Sequence, residues 1–278
     1  MTFAPIAPTI NVPPTEIAPD TFVIHQVQEA LGQPLFVYIN SMVIRGREPM
    51  LVDTGTPANR KQWLEDAFAL VDPEDVRWVF LSHDDVDHSG NLDEVMTACP
   101  NAKLVCNWAM VERHTNCFDF PLDRCHWVMD GESLDIGDRV LQALRPPVYD
   151  SPTTRGLYDP TTKVYWAVDT FATPLPDPAA GVADLDQAFW SELMWVFAMG
   201  AVSPWIAMVD PAKWSAYVDR TQSLDITTIA ACHTPVIEGD YIDQAFARIR
   251  ELPSLDLPPL PDQSILEQIV AATSQGPG

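Results

Sequence analysis

The segment Leu81–Asn91, with the sequence LSHDDVDHSGN, decides the fold of this chain. It overlaps the end of an apolar run, VRWVFLS (76–82), which is typical of a buried strand. Four potential metal ligands then fall within six residues, namely His83, Asp85, Asp87 and His88. These four potential ligands are more than one cation needs. In so compact a loop, alternate residues can face different ions. The segment therefore predicts a pair of metal ions beside the end of a strand.

Two further apolar runs end in residues that suit the same chemistry. KVYWAVD (163–169) closes on an acid, Asp169, and TTIAAC (227–232) is followed at once by His233. The chain has only six histidines, and those at positions 83, 88 and 233 all follow predicted strands. Loops at strand ends can turn side chains into a common cleft, so we expect these three histidines to meet.

The rest of the chain alternates between β-rich and helical stretches. LFVYINSMVIRG (35–46) and PMLVDTG (49–55) are β-branched runs joined by RGRE, which predicts a hairpin. Apolar periodicity predicts helices over 58–70, 92–99, 107–114, 183–201, 211–224 and 242–252, and strands over 103–106 and within 126–149. The order β-rich, α, β-rich, α indicates an α/β fold with four αββα layers rather than an alternating βαβ array.

The two ends of the chain differ from its middle. The proline-rich residues 1–20 predict an extended arm over the surface. Residues 21–252 are expected to form one domain. PSLDLPPLP (253–261) predicts a hinge, so residues 253–278 should add a final helix that packs on the domain.

Composition excludes several classes of protein. Of the 278 residues, 47% are hydrophobic, which indicates a globular chain, and 39 acidic side chains face 16 basic ones for a net charge of −23. Such a surface repels nucleic acid and anionic membranes. No run reaches the roughly 18–20 apolar residues of a membrane helix, and the N-terminus lacks the basic region of a signal peptide. We therefore expect a cytoplasmic protein.

The five cysteines, at positions 99, 106, 117, 125 and 232, are odd in number and form no CxxC pair. They predict reduced, structural thiols. Cys232 directly precedes His233, but strand alternation predicts that its side chain points away from the site.

The quoted segments resemble a known superfamily. Leu51-Val52-Asp53-Thr54-Gly55 and the 81–91 segment are similar to the metallo-β-lactamase superfamily, whose signature is HxHxDH. Asp85 stands at the second histidine of that signature. A carboxylate there resembles the flavodiiron branch, whose HxExDH motif holds a non-haem diiron site. The resemblance implies a metallo-β-lactamase-like sandwich and covers about residues 20–250.

The flavodiiron pattern implies the rest of a ligand set. In that branch a histidine precedes a bridging aspartate by 18 intervening residues, which here gives Asp150 and Asp169. Cys232-His233-Thr234-Pro235 resembles the closing Gly-His-Gly-Pro. By resemblance the first metal takes His83, Asp85, Asp150 and Asp169, and the second takes Asp87, His88, Asp169 and His233. Asp150 replaces the family's histidine and Asp85 its glutamate, so the first site differs from the pattern.

The ligand set bears on the metal. It is rich in oxygen and has no expected thiolate, so ligand softness favours two iron ions, with manganese or zinc as alternatives. Flavodiiron proteins carry a flavodoxin domain, but we expect no flavin to be bound by this chain. The resemblance then implies a separate electron donor and a homodimer.

Two chemistries remain open from the sequence. In the first, a diiron oxidoreductase binds or reduces a small oxidant such as dioxygen or nitric oxide, or oxygenates a small substrate. In the second, a metallo-hydrolase uses a metal-bridging hydroxide on an ester, thioester, lactone or phosphodiester, and Asp85 or Asp87 takes a proton during attack. A third possibility is a relative that has lost the first metal and only binds a partner.

Neighbouring residues are assigned lesser roles. Asp53 is expected to hydrogen-bond beside the site, whereas Asp84 either fans outward or supports the loop. Residues 172–205 are expected to roof the cleft or to form a dimer contact. Ordinary packing roles are expected for His25, His114, His126, Tyr149, Tyr158, Trp195 and Trp205.

Overall fold

The computed structural model describes residues 9–30, 34–114, 122–178 and 181–274. The described strands are β1 Thr9–Ala18, β2 Thr21–Glu29, β3 Phe36–Tyr38, β4 Ser41–Ile44, β5 Met50–Val52, β6 Trp78–Phe80, β7 Lys103–Cys106, β8 Cys125–Trp127, β9 Ser133–Asp135, β10 Val140–Leu144, β11 Gly156–Asp159, β12 Val164–Trp166, β13 Thr228–Ala230 and β14 Ile237–Glu238. The described α-helices are α1 Arg60–Leu70, α2 Val86–Ser89, α3 Leu92–Ala98, α4 Trp108–His114, α5 Gln187–Phe197, α6 Pro211–Gln222, α7 Tyr241–Glu251 and α8 Gln263–Ser274.

The first sheet is built around the hairpin that the sequence predicts. Its strand order is β1-β2-β4-β5-β6-β7-β8, with β3 paired to β2. β4 and β5 are antiparallel, whereas β5, β6, β7 and β8 run parallel to one another. Parallel neighbours end at the same edge of a sheet, so the loops after β5 and β6 emerge side by side.

The second sheet also contains one pair of parallel neighbouring strands. Its order is β14-β13-β12-β11-β10-β9, and β12 and β13 are parallel, with Trp166 opposite Ala230. The loops after β12 and β13 therefore also emerge together.

Three apolar layers give the four-layer architecture. Val52 and Phe80 of the first sheet pack with Leu157 and Trp166 of the second to form the core between the sheets. Trp63 of α1 belongs to the layer outside the first sheet. The layer outside the second sheet includes α5 and α7. The buried side chains of these two helices are Trp190, Met194, Ala245, Phe246 and Ile249. The predicted α/β fold, an αββα metallo-β-lactamase-like sandwich, is confirmed.

Glycine is required in the predicted LVDTG turn. Gly55 adopts φ +67°, and a Cβ atom built there would lie 2.7 Å from Trp63 Cδ1. The Trp63 ring is fully buried, and its Nε1 donates to Ser41 Oγ at 2.7 Å. The glycine thus lets α1 pack directly behind the loop that follows β5.

The structure differs from the sequence expectations in several elements. Within the predicted extended arm, Thr9–Ala18 forms strand β1, which pairs with β2 at the edge of the first sheet. The long helix predicted over 183–201 begins only at Gln187, because Asp186 caps the amides of Ala188 and Phe189. It then continues as a π-helix over Ala198–Val202. The short strands β11 and β14 carry too few residues to show a period in the sequence.

Across the described residues, no helix combines the length and the apolar character that a membrane crossing requires. The division into an arm, a domain and a C-terminal segment stays a prediction.

Candidate metal centre

Two pairs of parallel strands bring their loops to one cleft. The loop after β6 carries His83 and Asp85 and leads into α2, which carries Asp87 and His88. The loop after β5 carries Asp53, and the loops after β12 and β13 carry Asp169 and His233. The backbone is strained beside this meeting point. Asp53 and Val168 adopt positive φ angles of 61° and 57°, and such a conformation is costly for a β-branched residue like Val168. Strain of this kind is a feature of functional sites.

The first group of converging side chains is compact and buried, and we call it the inner cluster: Asp87, His88, Asp169 and His233. Asp169 Oδ1 lies 3.2 Å from His88 Nε2 and 3.3 Å from His233 Nε2. Asp87 Oδ2 lies 3.2 Å from His233 Nε2 and 3.9 Å from His88 Nε2. The donor atoms surround one point, as the ligands of a single cation do.

The second group is more open, and we call it the outer cluster: His83, Asp85 and Asp150. His83 Nε2 lies 2.6 Å from Asp150 Oδ1 and 3.6 Å from Asp85 Oδ2. It also lies 3.8 Å from Asp169 Oδ2. The two oxygens of the Asp169 carboxylate therefore face different clusters, the geometry of a bridging carboxylate.

Hydrogen bonds behind the inner cluster fix its histidine rings. His88 Nδ1 lies 2.9 Å from Asp53 Oδ2, and His233 Nδ1 donates to the Tyr38 carbonyl at 2.7 Å. Both partners are acceptors, so each Nδ1 carries a hydrogen and each Nε2 is directed into the cluster. Asp53 also accepts from the Ser82 amide at 2.7 Å. The expected supporting position of Asp53 is what the structure has.

The arrangement behind His83 is different. Its Nδ1 lies 3.2 Å from Asp84 Oδ1 but also 2.7 Å from the Asp84 amide nitrogen, so it faces both an acceptor and a donor. The Asp84 carboxylate is held by Thr153 Oγ1 at 2.6 Å and by an ion pair with Arg113. Of the two alternatives left open for Asp84, the structure has the supporting one.

Charge in the cleft favours protonated histidines when no metal is bound. Burial opposes the charged form of His83, but Asp150 and Asp84 outweigh it and raise the pKa of His83 to about 10. Burial is likewise outweighed at His88 and His233, whose pKa values rise well above the usual range beside Cys232, Asp169 and Asp87. These imidazolium groups lower the pKa of Asp169 well below its ordinary value despite its burial. Asp85 departs from this trend, since burial raises its pKa.

The donor set fits bound cations. His83 Nε2 is buried, and among the described residues no group meets it with hydrogen-bond geometry, although Asp150 Oδ1 is 2.6 Å away. The Asp150 carboxylate is thus close to this nitrogen but not aligned with it, and a bound cation would serve both groups as a partner. Imidazoles and carboxylates at these separations are suited to iron, manganese or zinc.

The cleft above the clusters is small. A cavity of about 150 Å³ is lined by the seven predicted ligand residues together with Phe197, Ala201 and Val202. The last three come from α5 and the π-helix, so part of the 172–205 segment does lie over the cleft. The volume is sufficient for a diatomic or another small ligand.

All seven residues predicted as metal ligands are brought together by the fold, and their assignment to metals stays a prediction. The other histidines lie elsewhere. His25 contacts Asn40 and Thr15, and His126 packs edge-on against Trp78. His114 lies near Asp84 but is not among the ligand-type groups that converge. Trp205 donates its Nε1 hydrogen to the Tyr149 carbonyl.

The predicted orientation of Cys232 is wrong. Its sulfur belongs to a group of ligand-type atoms from Asp87, His88, Cys232 and His233 that all lie within 4.8 Å of one another. β13 ends at Ala230 and residues 232–234 form a turn, so the strand alternation on which the prediction rested no longer applies at Cys232. No sequence signal marks this contact, because it depends on where the chain leaves the strand. Cys117 lies outside the described residues.

Comparisons with known proteins agree with the fold and the motifs. The model of the family described as "ODP family beta lactamase" matches residues 37–234. A putative diflavin flavoprotein A 1 from Nostoc sp. is 26% identical over 202 residues, 72% of this chain and 33% of that protein. The anaerobic nitric oxide reductase flavorubredoxin of Pectobacterium atrosepticum is 26% identical over 149 residues, 53% of this chain and 29% of that protein. The chain thus spans about a third of the length of these curated relatives.

Solved structures share the fold at lower identity. The flavodiiron protein of Giardia intestinalis matches with a TM-score of 0.70 and 19% identity, over 87% of this chain and 59% of that one. The rubredoxin oxygen:oxidoreductase of Desulfovibrio gigas matches with a TM-score of 0.71 and 17% identity, over 87% of this chain and 61% of that one. The motifs, the αββα sandwich and these matches agree, and this chain belongs to the ODP family of beta-lactamase-fold proteins, with flavodiiron proteins as its relatives.

Proposed function

We propose that this protein holds two iron ions in the cleft and binds or reduces a small oxidant such as dioxygen or nitric oxide. The observation that carries the proposal is the Asp169 carboxylate, which turns one oxygen to each cluster beneath a cavity of about 150 Å³. Relatives named for nitric oxide reduction and for oxygen reduction support the same chemistry.

In this proposal the outer metal is held by His83, Asp85, Asp150 and Asp169, and the inner metal by Asp87, His88, Asp169 and His233. Iron in these positions would supply the one-electron steps that side chains cannot perform. The protein's own residues restrict and orient the ligand. Phe197 and Val202 line the cavity, and Asp53 and the Tyr38 carbonyl hold the two inner imidazoles in place.

Reduction of an oxidant requires electrons from outside the cleft. The relatives named as diflavin flavoprotein and flavorubredoxin support a flavin- or rubredoxin-type electron donor. We propose a homodimer on the same family grounds. Both parts of the proposal concern the protein's partners and are tested separately from its metal content.

The first experiment is metal analysis of protein purified without added metal, with absorption spectra recorded before and after dithionite. We expect two irons per chain and a near-ultraviolet band that bleaches on reduction. His233→Gln should lose iron, whereas His126→Gln, which changes a histidine outside both clusters, should keep it. Zinc or manganese without a reducible band would refute the redox assignment.

A hydrolytic function is the second candidate, and one observation favours it. The side chain of Asp85 is 57% exposed at the cleft, and its partial burial together with the neighbouring Asp150 and Asp87 raises its pKa, so this group is suited to accept a proton during attack by a hydroxide. The zinc- or manganese-loaded protein would then cleave p-nitrophenyl acetate or bis-p-nitrophenyl phosphate. Asp85→Asn should abolish that activity, and an unchanged rate in this variant would exclude the role.

A further inference from the structure

We propose that the Cys232 thiolate is a ligand of the inner metal, so that Cys232 joins Asp87, His88, Asp169 and His233. The inference rests on the inner metal site of the proposed function. It adds a soft sulfur ligand at a position where the closing Gly-His-Gly-Pro pattern of the flavodiiron branch has no side chain at all.

The Cys232 sulfur lies close to the ligand atoms of the inner cluster. Ligand atoms of Cys232, Asp87, His88 and His233 all lie within 4.8 Å of one another. Donors on opposite sides of one ion are separated by about 4.4 Å when a metal–sulfur bond of about 2.3 Å faces a metal–nitrogen bond of about 2.1 Å. The sulfur is therefore close enough to bind the same ion after a small contraction of the cluster.

The backbone of Cys232 is fixed on both sides. Its amide donates to the Val168 carbonyl at 2.7 Å, and its carbonyl accepts from the Asn40 amide at 2.8 Å. The Asn40 side chain donates to the carbonyls of Ala231 and Thr234 at 2.9 and 2.8 Å. These hydrogen bonds hold the turn after β13 in place. The turn directs two successive side chains, Cys232 and His233, toward the inner cluster.

A packing role alone accounts less well for this cysteine. Cys99 and Cys106 are buried packing cysteines that belong to no group of three or more converging ligand-type residues in the described part of the chain, and burial raises the pKa of their thiols to about 11 and about 12. Cys232 is equally buried, but it lies at the edge of the core between the sheets, against two imidazoles and a carboxylate. Two buried histidines with Nε2 directed at the same point are an independent mark of a ligand site there.

A thiolate changes which metal the inner cluster prefers. Sulfur favours zinc and iron over manganese, whereas the carboxylate-rich set without it accepts manganese as well. We therefore expect the inner cluster to reject manganese more strongly than the outer one.

The test uses the full chain loaded with Co²⁺, whose bonds to thiolate give an intense near-ultraviolet charge-transfer band. We expect this band in the wild-type protein and in Cys99→Ser, a matched control with a buried thiol far from the cleft. Cys232→Ser should lose the band while the weaker visible bands of the bound cobalt persist. An equal band in Cys232→Ser, or bound cobalt without the band in the wild type, would overturn the inference.

A second measurement does not depend on a variant that folds. X-ray absorption at the cobalt edge of the wild-type protein should show a sulfur neighbour at about 2.3 Å. Nitrogen and oxygen neighbours alone would refute the thiolate and leave the proposed metal centre standing. Failure to bind cobalt or iron at all would instead refute the metal centre and the thiolate together.

Discussion

The two halves of the metal centre are built differently. In the inner cluster the side chains of His88, Asp169 and His233 are 1%, 4% and 10% exposed, that of Asp87 is 25% exposed, and both imidazoles have a fixed acceptor behind them. In the outer cluster Asp85 and Asp150 are 57% and 28% exposed. His83 is buried, but its Nδ1 faces both an acceptor and a donor of Asp84.

This difference determines how far the ligand side chains of each site are already ordered before a metal binds. The inner cluster is assembled by hydrogen bonds that remain in the metal-free protein, so little ordering is left for binding to achieve. The outer carboxylates are solvated, and a metal must order them and remove their water. We therefore expect the inner site to bind its ion more tightly and the outer site to lose its ion first.

The strongest test removes the group that the two clusters share. Asp169→Asn should lose metal from both sites, because one oxygen of the carboxylate faces each cluster. The loss of affinity should exceed the roughly 10- to 100-fold that is typical of changes behind the ligands. Metal content and oxidant consumption measure it, with Asp93→Asn, an exposed position outside the cleft, as the control. Loss of only one ion would show that Asp169 does not bridge.

A matched pair of variants separates the two clusters. Asp53→Asn removes the acceptor behind His88, and Asp84→Asn weakens the acceptor behind His83. Each should reduce affinity by about 10- to 100-fold, Asp53→Asn at the inner site and Asp84→Asn at the outer. Competition with a chelator, followed site by site in the cobalt spectrum, distinguishes them. Equal effects of both variants on both ions would contradict the division into two independent clusters.

The raised histidine pKa values predict how the metal-free protein responds to pH. A histidine whose pKa is higher in the folded state stabilises the fold fully below pH 6.5, and this contribution is lost as the pH rises through the folded value. For His83 the window runs from about 6.5 to about 10.

Within that window, each such histidine reduces the free energy of unfolding by about 1.4 kcal/mol per pH unit. Urea unfolding of the metal-free protein between pH 7 and 10 measures the slope. The slope should be shallower in His83→Gln and unchanged in His126→Gln. A flat profile in the wild type would contradict protonated histidines in the empty cleft.

The smallest effect comes from restoring the family pattern in the outer cluster. Asp85→Glu with Asp150→His should raise affinity for the outer metal by about 10-fold, since the longer side chain and the imidazole suit that geometry and reduce the excess of carboxylates. Asp93→Glu, on the outer face of α3, serves as the control. Unchanged affinity for the outer ion would show that these two departures do not weaken the outer site.

The sequence by itself determined the fold and much of the candidate site. Apolar runs ending at residues 82, 169 and 232 are local features, and the four ligand-type residues within 83–88 lie on one short segment. Patterns of this kind survive without tertiary information because strand period and loop spacing are set by neighbouring residues. The family resemblance added Asp150 and a bridging role for Asp169, and the fold does bring both residues to the same cleft.

Only the tertiary structure decided the rest. The contrast between an enclosed inner cluster and an exposed outer one depends on how two sheets and the α5 segment meet, contacts between residues far apart in the chain. The supporting position of Asp84 depends on Thr153 and Arg113. Cys232 reaches the inner cluster because the chain leaves β13 in a turn pinned by Asn40 and Val168, a contact that no local pattern encodes.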